Sequence, residues 1–173
     1  MVELKTLKPE ALSSALDMAK AYRLLNEPQD AESICMDILS VDPKHQDAHT
    51  TMLLALTDMF TSAGLNPAYD KAMAIVGILD DQYCKAYYSG IVYEKRAKYH
   101  LQQGGPGSGE VAYEWFAKAL NAFGKALDSC DPDNQDAVLR WNSCARIING
   151  DPNVKPGDNS SNEMLLDSYE EPH

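Results

Sequence analysis

Residues 12–43 contain two amphipathic helical patterns with only a short turn between them. In the first, apolar residues recur every three or four positions, which places them on one face of a helix; they are Leu12, Ala15, Ala19, Tyr22 and Leu25. Pro28 interrupts this pattern, because proline is tolerated only in the first turn of a helix. A second stripe follows at Ala31, Ile34, Cys35 and Ile38. Two such helices cannot bury both stripes between themselves, so the sequence predicts further helix pairs that pack on this one.

The stripe that begins at Ala31 recurs twice, beginning at Ala72 and at Ala119. Each time, apolar residues also stand four and seven positions further along. Each recurrence follows another helical pattern, one ending at Gly64 and one extending to about Gln103. A last helix is predicted over 136–149, where it would cover the final apolar face of the array. The sequence therefore predicts an all-α protein of about three helix pairs plus a closing helix.

These units resemble tetratricopeptide (TPR) repeats. Ala19 and Tyr22 match the small residue and the tyrosine of the family's first helix, and Ala31 matches the small residue at the close crossing in the second helix. Residues 86–93 resemble the family's aromatic-x-x-Leu-Gly-x-x-Tyr core, and Gly90 is expected where a partner helix comes close. The resemblance implies a TPR-like right-handed α-solenoid.

The predicted repeats are longer than those of the family, whose period is about 34 residues. The interval is 41 residues from Ala31 to Ala72 (72 − 31) and 47 residues from Ala72 to Ala119 (119 − 72). We expect the excess to appear as longer helices in the second and third pairs, since seven residues are close to two helical turns. The glycine-rich run at 104–109 is expected to form the tip that joins the two helices of the third pair.

The chain is acidic, with 26 Asp and Glu residues against 15 Lys and Arg residues and a net charge of −11. This balance argues against nucleic acid or an anionic membrane as a partner, because both require clustered cations. No apolar run approaches the ~18 residues that span a bilayer, and no signal peptide opens the sequence. We expect a cytoplasmic protein whose four cysteines are reduced, although their even number would permit disulfides.

Part of the acidity is concentrated at the C-terminus. Residues 151–173 contain six acidic residues and one lysine. The sequence therefore predicts a TPR-like helical domain over 1–150, followed by an acidic linker and a short amphipathic tail over 151–173. Ser160 and Glu163 match a capping box that would begin a helix over 161–169. Such a helix is too short to be stable alone, so it would form only when docked, on its own domain or on a second copy in a homo-oligomer.

No sequence pattern indicates a cofactor, a metal or catalysis. The run at 104–109 has no lysine with which to bind phosphate and is followed by Glu110. His45 and His49 stand four residues apart, which suits one helical face, but no third ligand lies nearby in the sequence. The carboxylates mostly mark helix ends. We therefore expect no enzymatic activity, no cofactor and no metal.

The family resemblance implies that the first helices of successive repeats line a concave groove that holds peptides. Carried over by position, the expected partner-binding residues are Lys20, Arg23, Thr51, Tyr87, Tyr88, Ile91, Lys95 and Arg140. Asp58 and Glu94 fall at equivalent offsets. One subgroup of the family clamps the C-termini of chaperones with Lys, Arg and Asn side chains, but only Lys20 is a cation at the matching positions. That ligand is not supported.

The function expected from these features is protein–protein interaction, with a peptide or helix of a partner held in the groove. Tyrosines among a few cations are typical of interface hot spots. Because those cations stand in an acidic chain, a partner segment with apolar and acidic residues is favoured. Two alternatives remain: a cytosolic chaperone for a secreted or aggregation-prone client, and a self-assembling structural subunit.

Overall fold

The structure is a computed structural model that describes residues 2–61 and 65–157. Within these ranges the chain is all-helical and contains no strand. A short 3-10 turn, Pro9–Ala11, precedes the α-helices, which are α1 (Leu12–Leu24), α2 (Pro28–Val41), α3 (Gln46–Asp58), α4 (Leu65–Ile78), α5 (Gln82–Gln103), α6 (Ser108–Asp128) and α7 (Asp136–Gly150). The all-α prediction is confirmed, and α7 lies where the closing helix was expected. The helix predicted over 161–169 lies outside the described residues.

Each helix packs against the next one along the chain, and the odd-numbered helices also pack against one another in order. Thus α1, α3, α5 and α7 form one continuous layer, and α2, α4 and α6 pack on it. The buried residues at the close crossings between helices are small; Ala31, Ala72 and Ala119 are all fully buried. Small side chains let neighbouring helix axes approach closely. In the ranges described, no helix is both long and apolar enough to cross a membrane.

The extra residues of the second and third pairs are accommodated differently. In the third pair, α5 and α6 have 22 and 21 residues, so the prediction of longer helices is confirmed there. In the second pair the prediction is wrong, because α3 and α4 have 13 and 14 residues, the same lengths as α1 and α2. Part of the excess lies in an earlier start of α4, which begins seven residues before Ala72, whereas α2 begins three residues before Ala31.

The tip of the third pair is shorter than the glycine run suggested, because α6 already begins at Ser108. Gly104, Gly105 and Gly107 have φ angles of 66°, 94° and 76°, in the left-handed region where glycine is favoured. Gly109 lies within α6, and its lack of a side chain has a different cause. A Cβ atom at this position would lie 2.1 Å from the carbonyl oxygen of Asn153.

Asn153 belongs to a segment that we call the C-terminal strap, residues 151–157. Its composition predicted a linker, but the strap returns from α7 and packs against the α5–α6 hairpin. Val154 is only 3% exposed and belongs to the same buried cluster as Phe116 and Phe123. The predicted domain boundary at 150/151 therefore leaves out a residue of the core.

Gly90 lies where α6 comes close to α5, as the sequence predicted. A Cβ atom on Gly90 would stand 2.4 Å from the ring of Phe123, which is fully buried. The ring fills the space that any other residue would need. Gly77, in α4, has no heavy atom within 4 Å of the corresponding position.

We predict opposite effects of alanine at these two glycines. Gly90→Ala should lower the free energy of unfolding by about 1–3 kcal/mol, because the new methyl group overpacks the core. Gly77→Ala should raise it by up to about 1 kcal/mol, because alanine is the better helix former and meets no obstacle. Chemical denaturation of both variants provides the measurement. Equal stabilities would contradict the close approach at Gly90.

Candidate partner-binding face

Asp58, at the end of α3, joins three helices through its carboxylate. Arg23 of α1 donates to Oδ2 from Nε at 3.0 Å, and its Nη2 lies 2.9 Å from the same oxygen as an ion pair. Lys95 of α5 donates to Oδ1 from Nζ at 2.9 Å. Both oxygens are thus occupied by charge-assisted hydrogen bonds, the stronger kind. One carboxylate therefore holds α1, α3 and α5 in register on the same face.

Glu94, the residue before Lys95, likewise pairs with two cations, but in a fully buried position. Lys98, one turn further along α5, forms an ion pair with Oε1. Arg140 of α7 places Nη1 3.4 Å from Oε1 and 3.5 Å from Oε2. A buried carboxylate is costly unless it is paired and hydrogen-bonded, and here both cations approach from the solvent side. Glu94 thereby ties the closing helix to the rest of the layer.

Together these six side chains define what we call the odd-helix face, which consists of Arg23, Asp58, Glu94, Lys95, Lys98 and Arg140. Each carboxylate is shared by two cations, so each group of three carries a net charge of +1. The side chains of Lys95, Lys98 and Arg140 are 33%, 34% and 37% exposed. The face therefore presents a positive surplus to solvent in a protein whose net charge is −11.

A cleft of about 510 Å³ opens on this face between α1, α3 and α5. Arg23, Lys95 and Lys98 line it around Asp58, and Asn26 and Gln102 add amide groups to its wall, with Tyr99 and Phe60 as aromatic neighbours. The cleft lies at the C-terminal ends of α1 and α3. It offers cations, hydrogen-bond donors and a limited apolar surface, a combination suited to a chain segment that carries carboxylates.

The structure separates the eight residues that sequence offsets assigned to the groove. Arg23 and Lys95 line the cleft, Arg140 is bound to Glu94, and Lys20 is exposed. Three of these four cations are already paired with carboxylates of the same layer. Thr51 and Ile91 are 4% and 2% exposed, so they belong to the interior and offer almost no surface to a partner.

Tyr87 and Tyr88 are half-buried and form part of an aromatic array on α5. The ring of Tyr87 stacks on that of Tyr83 at 5.5 Å between centroids and contacts Tyr88 edge-on at 5.3 Å. Tyr88 packs against both large core clusters, and burial raises the pKa of its hydroxyl. Both tyrosines thus contribute to packing, and only part of each ring remains available to a partner.

Arg140 lies between the tyrosines and the buried carboxylate. Burial lowers the pKa of its guanidinium, but the charge of Glu94 and the contact with Tyr87 outweigh burial, and the net shift is upward. The side chain is therefore held in its charged form by its surroundings. Lys98 was not among the residues expected from the sequence, although its position four residues after Glu94 is the spacing of a helical ion pair.

Two histidines and two cysteines of the described ranges have structural surroundings. His45 caps α3 by accepting a hydrogen bond from the Ala48 amide through Nδ1 at 3.2 Å, and His49 Nε2 lies 2.9 Å from the Pro43 carbonyl oxygen. Burial raises the pKa of the Cys35 thiol to about 11 and that of the Cys144 thiol to about 12, which makes both poor nucleophiles. Within the described ranges, no three His, Cys, Asp or Glu side chains converge to hold a metal.

The fold and this face define an all-helical protein with a cationic cleft that is open to solvent. No known family model matches the chain, and no match is found among the curated proteins or the solved structures. The geometry and charge of the odd-helix face are therefore the basis for assigning a function.

We predict that Glu94→Gln lowers the free energy of unfolding by about 1–3 kcal/mol. The substitution keeps the shape of the side chain but removes the charge that Lys98 and Arg140 share in the protein interior. Asp58→Asn is the matched control, because Asp58 also bridges two cations but is 20% exposed. It should cost about 1 kcal/mol or less. Denaturation curves that show the larger loss for Asp58→Asn would contradict this ranking.

Proposed function

We propose that the chain is a TPR-like right-handed α-solenoid whose odd-helix face is a concave groove for a partner protein. The protein would act as an interaction scaffold or adaptor that holds a peptide or helix of the partner. Consecutive packing of helix pairs, with alanines and Gly90 at the close crossings, supports the solenoid. Helix pairs stacked in this way create extended binding surfaces.

The observation that carries the binding proposal is the positive surplus on the odd-helix face. Two carboxylates there are shared by four cations, while the whole chain has an excess of 11 acidic charges. Selective placement of cations on one face steers partners of opposite charge towards it and sets their orientation. A carboxylate of the partner could approach Lys95 and Lys98 at the cleft without displacing either internal ion pair.

The partner segment that fits this face is acidic with interspersed apolar residues. Its carboxylates would face Arg23, Lys95 and Lys98, and its apolar side chains would contact Tyr99 and the exposed Leu24, which is 88% accessible. Interfaces of this kind combine an apolar or aromatic centre with a charged rim. The exposed parts of Tyr87 and Tyr88 would extend the contact along α5.

The proposal predicts that neutralising the cleft lysines removes partner binding. Lys95→Gln combined with Lys98→Gln should weaken capture of acidic partner segments by about 10- to 100-fold, the range expected for charge pairs across an interface. Lys5→Gln combined with Lys44→Gln is the matched control, because it removes the same charge from exposed positions outside the cleft. Proteins captured from a lysate by each variant and by the unaltered chain are quantified by mass spectrometry.

Partners retained by the control and lost by the cleft variant support the proposal. Equal capture by both variants would contradict it. Circular dichroism of each variant verifies that the helices are intact, so that lost binding is not confused with unfolding. The isolated partner segments should also bind more weakly as the salt concentration rises.

A further inference from the structure

A second cationic surface lies on the opposite side of α5, where α5 meets α6. Two adjoining hollows of about 360 and 310 Å³ share Ser89 and Lys125 and together form what we call the lysine furrow. The polar side chains that line it are Gln82, Lys85, Ser89 and Tyr93 on α5, Lys118, Asn121 and Lys125 on α6, and Ser129 just after α6. None of the residues that line the two hollows is a carboxylate.

The three lysines of the furrow are not neutralised. Among the described residues, none of them forms an ion pair, in contrast to Lys95 and Lys98 on the odd-helix face. Glu114 stands four residues before Lys118 on α6 but does not pair with it. The furrow therefore concentrates three of the chain's 15 cationic side chains where no carboxylate opposes them.

At one end of the furrow, two cations pack against aromatic rings. The guanidinium of Arg96 lies 4.2 Å from the ring centroids of both Tyr69 and Trp115, and so bridges α4 and α6. Lys118 places its ammonium 4.1 Å from the centroid of Trp115. Contacts of this kind hold a cation in position without cancelling its charge. Lys118 is thus a positioned cation at the entrance to the furrow.

The C-terminal strap leads the chain towards this surface. Asn153 contacts α6 at Gly109, and Gly157 contacts it at Glu110, where a Cβ on Gly157 would lie 3.1 Å from the glutamate oxygen. Successive residues of a helix are about 100° apart around its axis, so the strap passes from the side of α6 that carries Gly109 to the side that carries Glu110. Lys118 lies about 80° further round in the same sense and about 12 Å along the helix axis.

The sequence continues beyond Gly157 with residues 158–173, which contain five acidic residues and no lysine or arginine. Four residues of extended chain, from Gly157 to residue 161, reach about 13 Å, which brings residue 161 within side-chain range of Lys118. Glu163 and Asp167 share one stripe of the helix expected over 161–169, and Glu170, the next residue after it, continues that stripe when the helix extends by one residue. Glu163 and Glu170 are seven residues apart, as are Lys118 and Lys125, so the two rows of charge have the same spacing of about 10 Å.

We propose that the acidic segment 158–173 docks in the lysine furrow of its own chain, with Glu163 facing Lys118, Glu170 facing Lys125, and Asp167 between them on the same stripe. The furrow is favoured over the odd-helix face for two reasons. The strap arrives on the outer side of α6, and the furrow cations are unopposed, whereas Asp58 and Glu94 already neutralise half of those on the odd-helix face. The C-terminus would thus cover one cationic surface and leave the other open.

Amide hydrogen exchange on the full chain tests this docking. Amides of 161–170 should be protected at least ~10-fold over an unstructured peptide, independently of protein concentration. Lys118→Glu with Lys125→Glu should abolish that protection. Lys8→Glu with Lys44→Glu, an equal change of charge at exposed positions outside the furrow, should leave it intact.

A charge exchange provides a second test that does not depend on the stability of one variant. Glu163→Lys, Asp167→Lys and Glu170→Lys together should release the segment, and combining them with Lys118→Glu and Lys125→Glu should restore its protection. Three results would each overturn the proposal: unprotected amides in the unaltered chain, protection that rises with concentration because the segment docks on a second copy, or protection that survives reversal of the furrow charges.

Discussion

The burial of one carboxylate constrains how α7 packs on α5. Glu94 is fully excluded from solvent, and an unpaired charge in that position would cost several kcal/mol. Lys98 and Arg140 meet this requirement, one from the same helix and one from α7. The closing helix is therefore held to α5 by a specific charge as well as by apolar contact. Asp58 links α1, α3 and α5 in the same way, so two carboxylates connect all four helices of the layer.

This arrangement has a consequence for the surface, because each carboxylate has two cations and leaves one positive charge in excess. The odd-helix face and the lysine furrow lie on opposite sides of α5, and both are cationic in an acidic chain. The two surfaces differ in whether carboxylates neutralise part of their positive charge. On the odd-helix face the cations are fixed in place by internal pairing, which favours orientation of a partner. In the furrow no carboxylate lies among the lysines, and the acidic segment 158–173 follows directly after the C-terminal strap.

Much of the fold could be predicted from the sequence, because apolar periodicity, proline positions and the small residues at crossings are local signals. Gly90 and the long α5 are examples. The candidate site was harder to predict. Arg23 and Asp58 are 35 residues apart, and Asp58 and Lys95 are 37 apart, so their pairing exists only in the folded layer. Offsets from a family of shorter repeats also placed Thr51 and Ile91 on the surface, whereas the crossing of these helices buries both. Val154 was missed because its neighbours have the composition of a linker.

A double-mutant cycle between Glu94 and Arg140 tests most directly whether the buried carboxylate fixes the closing helix. Free energies of unfolding are measured for Glu94→Gln, Arg140→Gln, the double variant and the unaltered chain. The structure predicts that the two substitutions couple by about 1–2 kcal/mol, because either one removes the shared interaction. A parallel cycle with Arg146→Gln, an exposed cation on the same helix, should be additive within about 0.5 kcal/mol. Additivity in both cycles would contradict the account, since Arg140 would then contribute no more to holding α7 than an unpaired surface residue.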